Sequence, residues 1–179
     1  MNEVYATLDT PEPGSTIDPV ANVISLEITK YMEHPDSALD KYDFVFDLIP
    51  TFKNSYDTII SSEELNVPIR IYKKWSKRNA KNVPVIVFYH GGGFIFGDLE
   101  VYDFMCRTIA NRSEYIVVSV DYRLAPKFKF PAAINDCYFA LEWVNSNIEN
   151  FGGSKNNIYV MGDSAGGNIA TVMTLKSQE

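Results

Sequence analysis

Two short stretches of this 179-residue chain have the residue types and spacing to handle an acyl group. The first is Gly162-Asp163-Ser164-Ala165-Gly166, a G-x-S-x-G run followed by Gly167. It stands between an apolar, strand-like stretch (Asn157–Asp163) and a helix-like one. A turn that sharp holds its serine in a strained backbone conformation and lifts the hydroxyl clear. Side chains two residues away on either side would collide with neighbouring chain, so Gly162 and Gly166 leave room. The helix that follows brings the positive end of its dipole to the reacting carbon. Ser164 is therefore expected to be a nucleophile. An ordinary turn serine is the plainer alternative, and the strand–turn–helix setting weighs against it.

The second stretch is His90-Gly91-Gly92-Gly93, at the end of the apolar run Val83–His90. Three successive glycines carry an entropic cost that a simple turn does not require. They allow backbone N–H groups to approach a ligand closely. Acyl transfer creates an oxygen anion, and preorganised donors stabilise it. The N–H groups of Gly92 and Gly93 are expected in that role, with Ala165 N–H as the third donor. A glycine hairpin and a phosphate cradle are the competing readings. A phosphate loop would need Gly-Lys-Ser/Thr leading into a helix, which HGGGFIFGD lacks.

These stretches need a scaffold, and the pattern supplies one. The apolar runs Val83–His90, Tyr115–Tyr122 and Asn157–Asp163 alternate with helical patterns around Val101–Arg112 and Pro131–Asn150. Pro131 opens the second helix and Gly152-Gly153 closes it. Its stripe is Ile134, Cys137, Tyr138, Leu141, Val144 and Ile148. Such alternation means an α/β fold, a mostly parallel sheet with helices on both faces. Right-handed crossovers put the strand ends His90, Asp121 and Asp163 along one edge. Upstream, YDTIIS and VPIRIYKK read as two strands joined by SEELN. The basic run Lys73–Arg78 reads as a solvated hairpin tip. Residues 1–17 are expected to be flexible and residues 18–55 to form a helical segment, opened by Asp18-Pro19. Residues 56–179 form the α/β core.

Composition excludes several classes. Apolar residues make up 46% and charged ones 22%, which is globular rather than disordered. Residues 1–66 hold 13 acids and 3 bases, so the front of the chain carries −10 of the net −7, and the rest carries +3. That argues against nucleic acid and against anionic membranes. No apolar run is long enough to span a bilayer, and the N-terminus shows no secretory pattern, so the expected location is cytoplasmic. Cys106 and Cys137 read as buried, reduced thiols. Two isolated histidines and two separated cysteines give no metal-ligand spacing, and no cofactor is implied.

In order along the chain, HGGGF, DYRLAP, FPAAINDCYFALEWV and GDSAGG resemble the hormone-sensitive-lipase-like branch of the α/β-hydrolase carboxylesterases. The likeness covers roughly Val83 to Leu175. It implies the α/β-hydrolase fold and hydrolysis of a small-molecule carboxylic ester, usually of small or medium acyl length. It also implies an N-terminal helical cap, which residues 18–55 fit. By the same resemblance Asp121, Tyr122 and Arg123 are structural and hold the loop below the nucleophile. Lys127 departs from the family, which usually has an acid there. Phe94, Phe96 and Tyr122 are candidates for pocket walls, with core packing the plainer role for each.

A serine hydroxyl needs a positioned base. In this fold the acid and histidine follow the serine in the chain. After Ser164 the sequence offers Glu179 and no histidine. His34 reads as a solvated residue at a helix end, and His90 as a brace for the glycine loop. The triad acid and histidine are thus expected outside these residues, with the C-terminal strands missing, one sheet edge open and the last helix uncovered on one flank. The expectation is the front portion of a longer esterase, weakly active or inactive alone. A receptor-like protein that binds small molecules without catalysis is the alternative, and a second chain supplying the back half is another. Nothing in the sequence selects an oligomeric state.

Overall fold

A computed structural model of the chain describes residues 55–178, apart from Trp75, Ser76 and Arg78. The chain divides into Met1–Pro50 and Thr51–Glu179, and the described residues belong to the second unit. The expected flexible start (1–17) and the helical segment (18–55) lie outside them, except for Ser55, which begins the first strand.

Five strands and three α-helices follow in the order β1 (Ser55–Ser61), β2 (Asn66–Tyr72), β3 (Val83–Tyr89), α1 (Asp103–Ser113), β4 (Ile116–Val120), α2 (Ala132–Asn147), β5 (Gly153–Gly162) and α3 (Ala165–Lys176). A 3-10 turn, Ile148–Phe151, and Gly152 in the left-handed region (φ 81°) close α2. β5 starts four residues earlier than the apolar run suggests, because Gly153 pairs with Val83 ahead of a register shift.

The sheet order is β1-β2-β4-β3-β5. The pairs β3–β4 and β3–β5 are parallel, whereas β1–β2 and β2–β4 are antiparallel. The three apolar strands are thus the parallel centre, and the early hairpin is an antiparallel flank. Every residue of β4 is buried, and all but Pro84 of β3. A near-continuous apolar run rich in Val and Ile forms a strand of this kind when both faces are covered. Each such Val or Ile contributes about 1.5–3 kcal/mol by leaving water. On one face Val85, Val87, Tyr89, Val118 and Val120 pack with Cys137, Ala140 and Val144 of α2 and with Ile169 and Met173 of α3. α1 covers the other face with its buried Cys106, Ile109 and Ala110.

One expectation is corrected here. The basic run after β2 is not a hairpin tip, because β2 and β3 are not neighbours: β4 lies between them. The connection is a crossover, and its lysines are engaged. Lys73 Nζ donates to the carbonyls of Ala80 (2.9 Å) and Phe151 (3.0 Å), while Lys74 and Lys77 pair with Glu114.

Among the described residues β5 is an edge strand, and α3 is covered on one side only. Ala165, Gly166, Ile169 and Met173 are buried, while Leu175 stays exposed. A cleft of about 520 Å³ runs between α2, α3 and β5. None of the described helices is long and apolar enough to cross a membrane.

Candidate active site

Register brings the two chemical stretches together. Tyr89, the last residue of β3, pairs with Gly162, the last of β5, and also with Val120, the last of β4. His90, Asp163 and Asp121 therefore leave the sheet side by side on one edge. Only the strand order makes the glycine loop and the serine turn direct neighbours.

Ser164 is exposed and stands between β5 and α3 with φ 49° and ψ −117°. That is a costly conformation for a residue with a Cβ. The turn is closed by Gly166 N–H donating to Asp163 O (2.7 Å) and Asn168 N–H donating to Ser164 O (3.1 Å). It is tight in the manner the glycines suggest. A Cβ at Gly162 would meet the Gly166 backbone, and one at Gly166 the backbone of Tyr89 and His90, in each case closer than 3.0 Å. The serine is held up because the chain on either side of it is pressed against β3.

The glycine loop divides its amides between two tasks. Gly91 is buried, and its N–H donates to Asp163 Oδ1 (2.9 Å) and Tyr102 Oη (3.1 Å). The N–H groups of Gly92, Gly93 and Ala165 make no hydrogen bond to any described residue. Gly92 has φ 114°, which glycine alone adopts readily, and its carbonyl accepts from the N–H groups of Ile95 (3.1 Å) and Phe96 (2.9 Å). A Cβ on exposed Gly93 would touch nothing within 4 Å, so the loop opens outward there. Phe94 O accepts from Ala125 N–H (2.8 Å), fastening the loop to the DYRLAP segment.

His90 is fully buried beneath this loop. Its Nδ1 lies 2.7 Å from Gly91 O, and its ring stacks on Tyr122 at 4.2 Å. The Tyr122 hydroxyl donates to His90 O (2.6 Å). Tyr122 is only 2% exposed, so it packs under the loop and is no pocket wall. Burial pushes its phenol pKa up. Arg123 grips the fully buried carboxylate of Asp136 through Nε (2.8 Å) and Nη2 (2.7 Å), and its backbone N–H donates to the same group (2.9 Å). Asp121 N–H donates to Pro68 O (3.0 Å), and burial raises the Asp121 carboxyl above its usual range. Lys127, the departure from the family pattern, sets its ammonium 5.0 Å from the Phe128 ring.

Two residues escaped the sequence reading. Asp136 had a legible signal: it stands at i−4 from Ala140 on the buried stripe, where an unpaired acid would be too costly. Tyr102 precedes α1, and no local pattern points to it. Its ring packs at 5.8 Å from Phe88 and 5.5 Å from His90, and its hydroxyl donates to Asp163 Oδ2 (3.0 Å). Burial, with Asp163 adding to it, pushes the Tyr102 phenol up to about 12.

A sheet whose parallel strand ends carry a strained serine turn beside a glycine loop defines a hydrolase-type architecture. Residues 86–179 match the family described as alpha/beta hydrolase fold, and the chain belongs to that family, in its hormone-sensitive-lipase-like carboxylesterase branch. The chain is 43% identical over 127 residues to the carboxylesterase NlhH of Mycobacterium tuberculosis, covering 71% of this chain and 39% of that protein. It is 38% identical over 123 residues to an arylesterase of Saccharolobus solfataricus, covering 69% and 39%. Among solved structures, a hyperthermophilic esterase of Pyrobaculum calidifontis is similar at 35% identity and TM-score 0.67, covering 90% of this chain and 53% of that one. The chain therefore spans about two fifths of the length of these curated relatives.

Proposed function

We propose that these residues are the nucleophile-bearing portion of a serine carboxylic-ester hydrolase. Ser164 Oγ attacks the ester carbonyl. The N–H groups of Gly92, Gly93 and Ala165 receive the oxygen anion that forms. One observation carries the reading: three backbone donors without a partner among the described residues lie on the glycine loop and the turn of a strained, exposed serine. A fold does not keep strain and unused donors at the same place without return. The named esterases among the relatives support the same reaction class. Ile95 and Phe96, exposed on the glycine loop, offer apolar surface to an acyl chain.

No base stands beside Ser164 among the described residues, so the base and its orienting acid are required from elsewhere. His90 is the sole histidine among the described residues, and it is buried beneath the loop. In this setting the chain alone hydrolyses a short p-nitrophenyl ester slowly, because oxyanion donors sustain a residual rate when the base is lost. The test is whether that slow turnover passes through an acyl group on Ser164, read by intact mass. The adduct should be absent in Ser164→Ala. An adduct that forms equally in Ser164→Ala sinks the nucleophile assignment, and a rate equal to that of a complete relative sinks the claim that a base is lacking. The alternative reading is a small-molecule receptor on the same fold. Tight, reversible binding of an ester or carboxylate, unchanged in Ser164→Ala, would select it.

A further inference from the structure

Asp163 and Tyr102 form a closed polar triangle with the first amide of the glycine loop. Asp163 Oδ1 accepts from Gly91 N–H (2.9 Å) and Asp163 Oδ2 accepts from the Tyr102 hydroxyl (3.0 Å). Gly91 N–H also reaches the Tyr102 oxygen (3.1 Å). The carboxylate comes from the serine turn, the amide from the glycine loop and the phenol from the residue capping α1. Three separate segments are thus joined through one carboxylate.

We infer that Tyr102 is a positioning residue for the anion-stabilising loop, acting through Asp163. This rests on the reading of Ser164 as nucleophile. The argument has two parts. The first is geometric. Gly91 N–H is turned inward onto Asp163, and the next two amides, of Gly92 and Gly93, are left without a partner among the described residues. The direction of those amides depends on how firmly Gly91 is pinned. The fit is close, since a Cβ at Gly91 would overlap the Asp163 carboxylate. The second part is electrostatic. Asp163 is bonded in sequence to Ser164, and a bare carboxylate there would oppose a growing oxygen anion. Two donors directed onto it disperse that charge and aim it away from the reacting centre. The Tyr102 ring is clamped against Phe88 and His90, so its hydroxyl is held on the carboxylate without a flexible stem.

The experiment uses the full chain and an uncharged p-nitrophenyl alkylphosphonate diester at alkaline pH, where hydroxide replaces the positioned base. Ser164 Oγ bonds to phosphorus, the bond to p-nitrophenolate breaks, and the hydroxyl proton goes to hydroxide. Intact mass and the released p-nitrophenolate give the limiting rate and the half-saturating concentration. Tyr102→Phe keeps the packed ring and removes only the hydroxyl, which donates to Asp163 and accepts from Gly91 N–H. It should lower the limiting rate about tenfold and leave half-saturation within about twofold, with the melting temperature almost unchanged. Asp163→Asn, which keeps an acceptor for Gly91, should lose less than Asp163→Ala. In the Asp163→Ala background, Tyr102→Phe should have a smaller effect than in the parent, since only its direct contact with Gly91 N–H is left to lose.

An unchanged limiting rate in Tyr102→Phe, or an additive loss in the double variant, overturns the inference while Ser164 is still labelled. A rate that falls only in step with melting temperature reduces Tyr102 to a packing residue and also overturns it. If the unaltered chain takes up no phosphonyl group, or takes it up equally in Ser164→Ala, the nucleophile reading itself fails and the inference falls with it.

Discussion

The carboxyl edge of the parallel strands and the Arg70 cluster on the antiparallel flank are both rich in polar groups, yet they are built on opposite principles. Around Arg70 the charges are matched. Its guanidinium bonds Asp57 (2.6 Å), Glu100 (2.5 Å) and Asp103 (2.9 Å), and Asp103 also pairs with Arg107. The network ties β1 and β2 to the start of α1. At the carboxyl edge the reverse holds. Ser164 and Phe94 sit at positive φ, and three backbone donors have no partner among the described residues. Saturated charges are what a fold uses to hold itself together. Strain beside unspent donors is what a reacting group requires. The proposed site rests on this contrast, which is a property of neighbours rather than of letters.

Four substitutions test the contrast, in falling order of effect. Gly166→Ala strikes the carboxyl edge where it is tightest. Its Cβ has only the backbone of Tyr89 and His90 to push against, so the cost should be about 3 kcal/mol or more, read by urea unfolding. A variant as stable as the parent would mean the turn is looser than described. Asp136→Ala removes the buried partner of Arg123. Arg123 keeps 32% of its side chain exposed and can recover some water, so the loss should be about 2 kcal/mol rather than the full penalty of a buried pair.

Ser164→Gly should raise stability by about 1 kcal/mol while abolishing reaction, because relief at φ 49° exceeds the entropy that glycine adds to the unfolded chain. Loss of both stability and reaction would show that the serine is structural. Arg70→Met should do least at neutral pH, since its partners Asp57 and Glu100 are exposed. Its signature is acid sensitivity. The Arg70 hydrogen bond holds Asp57 below the usual carboxyl value of 3.8. A depressed acid stabilises the folded state above its unfolded pKa, and that contribution disappears as pH falls through the depressed value. Melting curves from neutral pH down to about pH 3 should therefore converge for parent and variant. Curves that stay parallel would mean the network contributes nothing through Asp57.

The sequence by itself determined the parallel centre, since near-unbroken apolar runs rich in Val and Ile, such as Val83–Tyr89, suit a sheet covered on both faces. It also determined the serine turn, because glycines two residues before and after Ser164 are a local steric requirement. Tertiary structure alone decided the rest. That β4 lies between β2 and β3 turned an expected hairpin tip into a crossover, and no local pattern encodes which strands become neighbours. Asp136 meeting Arg123, and Tyr102 meeting Asp163, join residues 13 and 61 positions apart. Contacts of that separation exist only after strand order and register have been chosen, and those are chosen by the burial of the whole core rather than by the residues that meet.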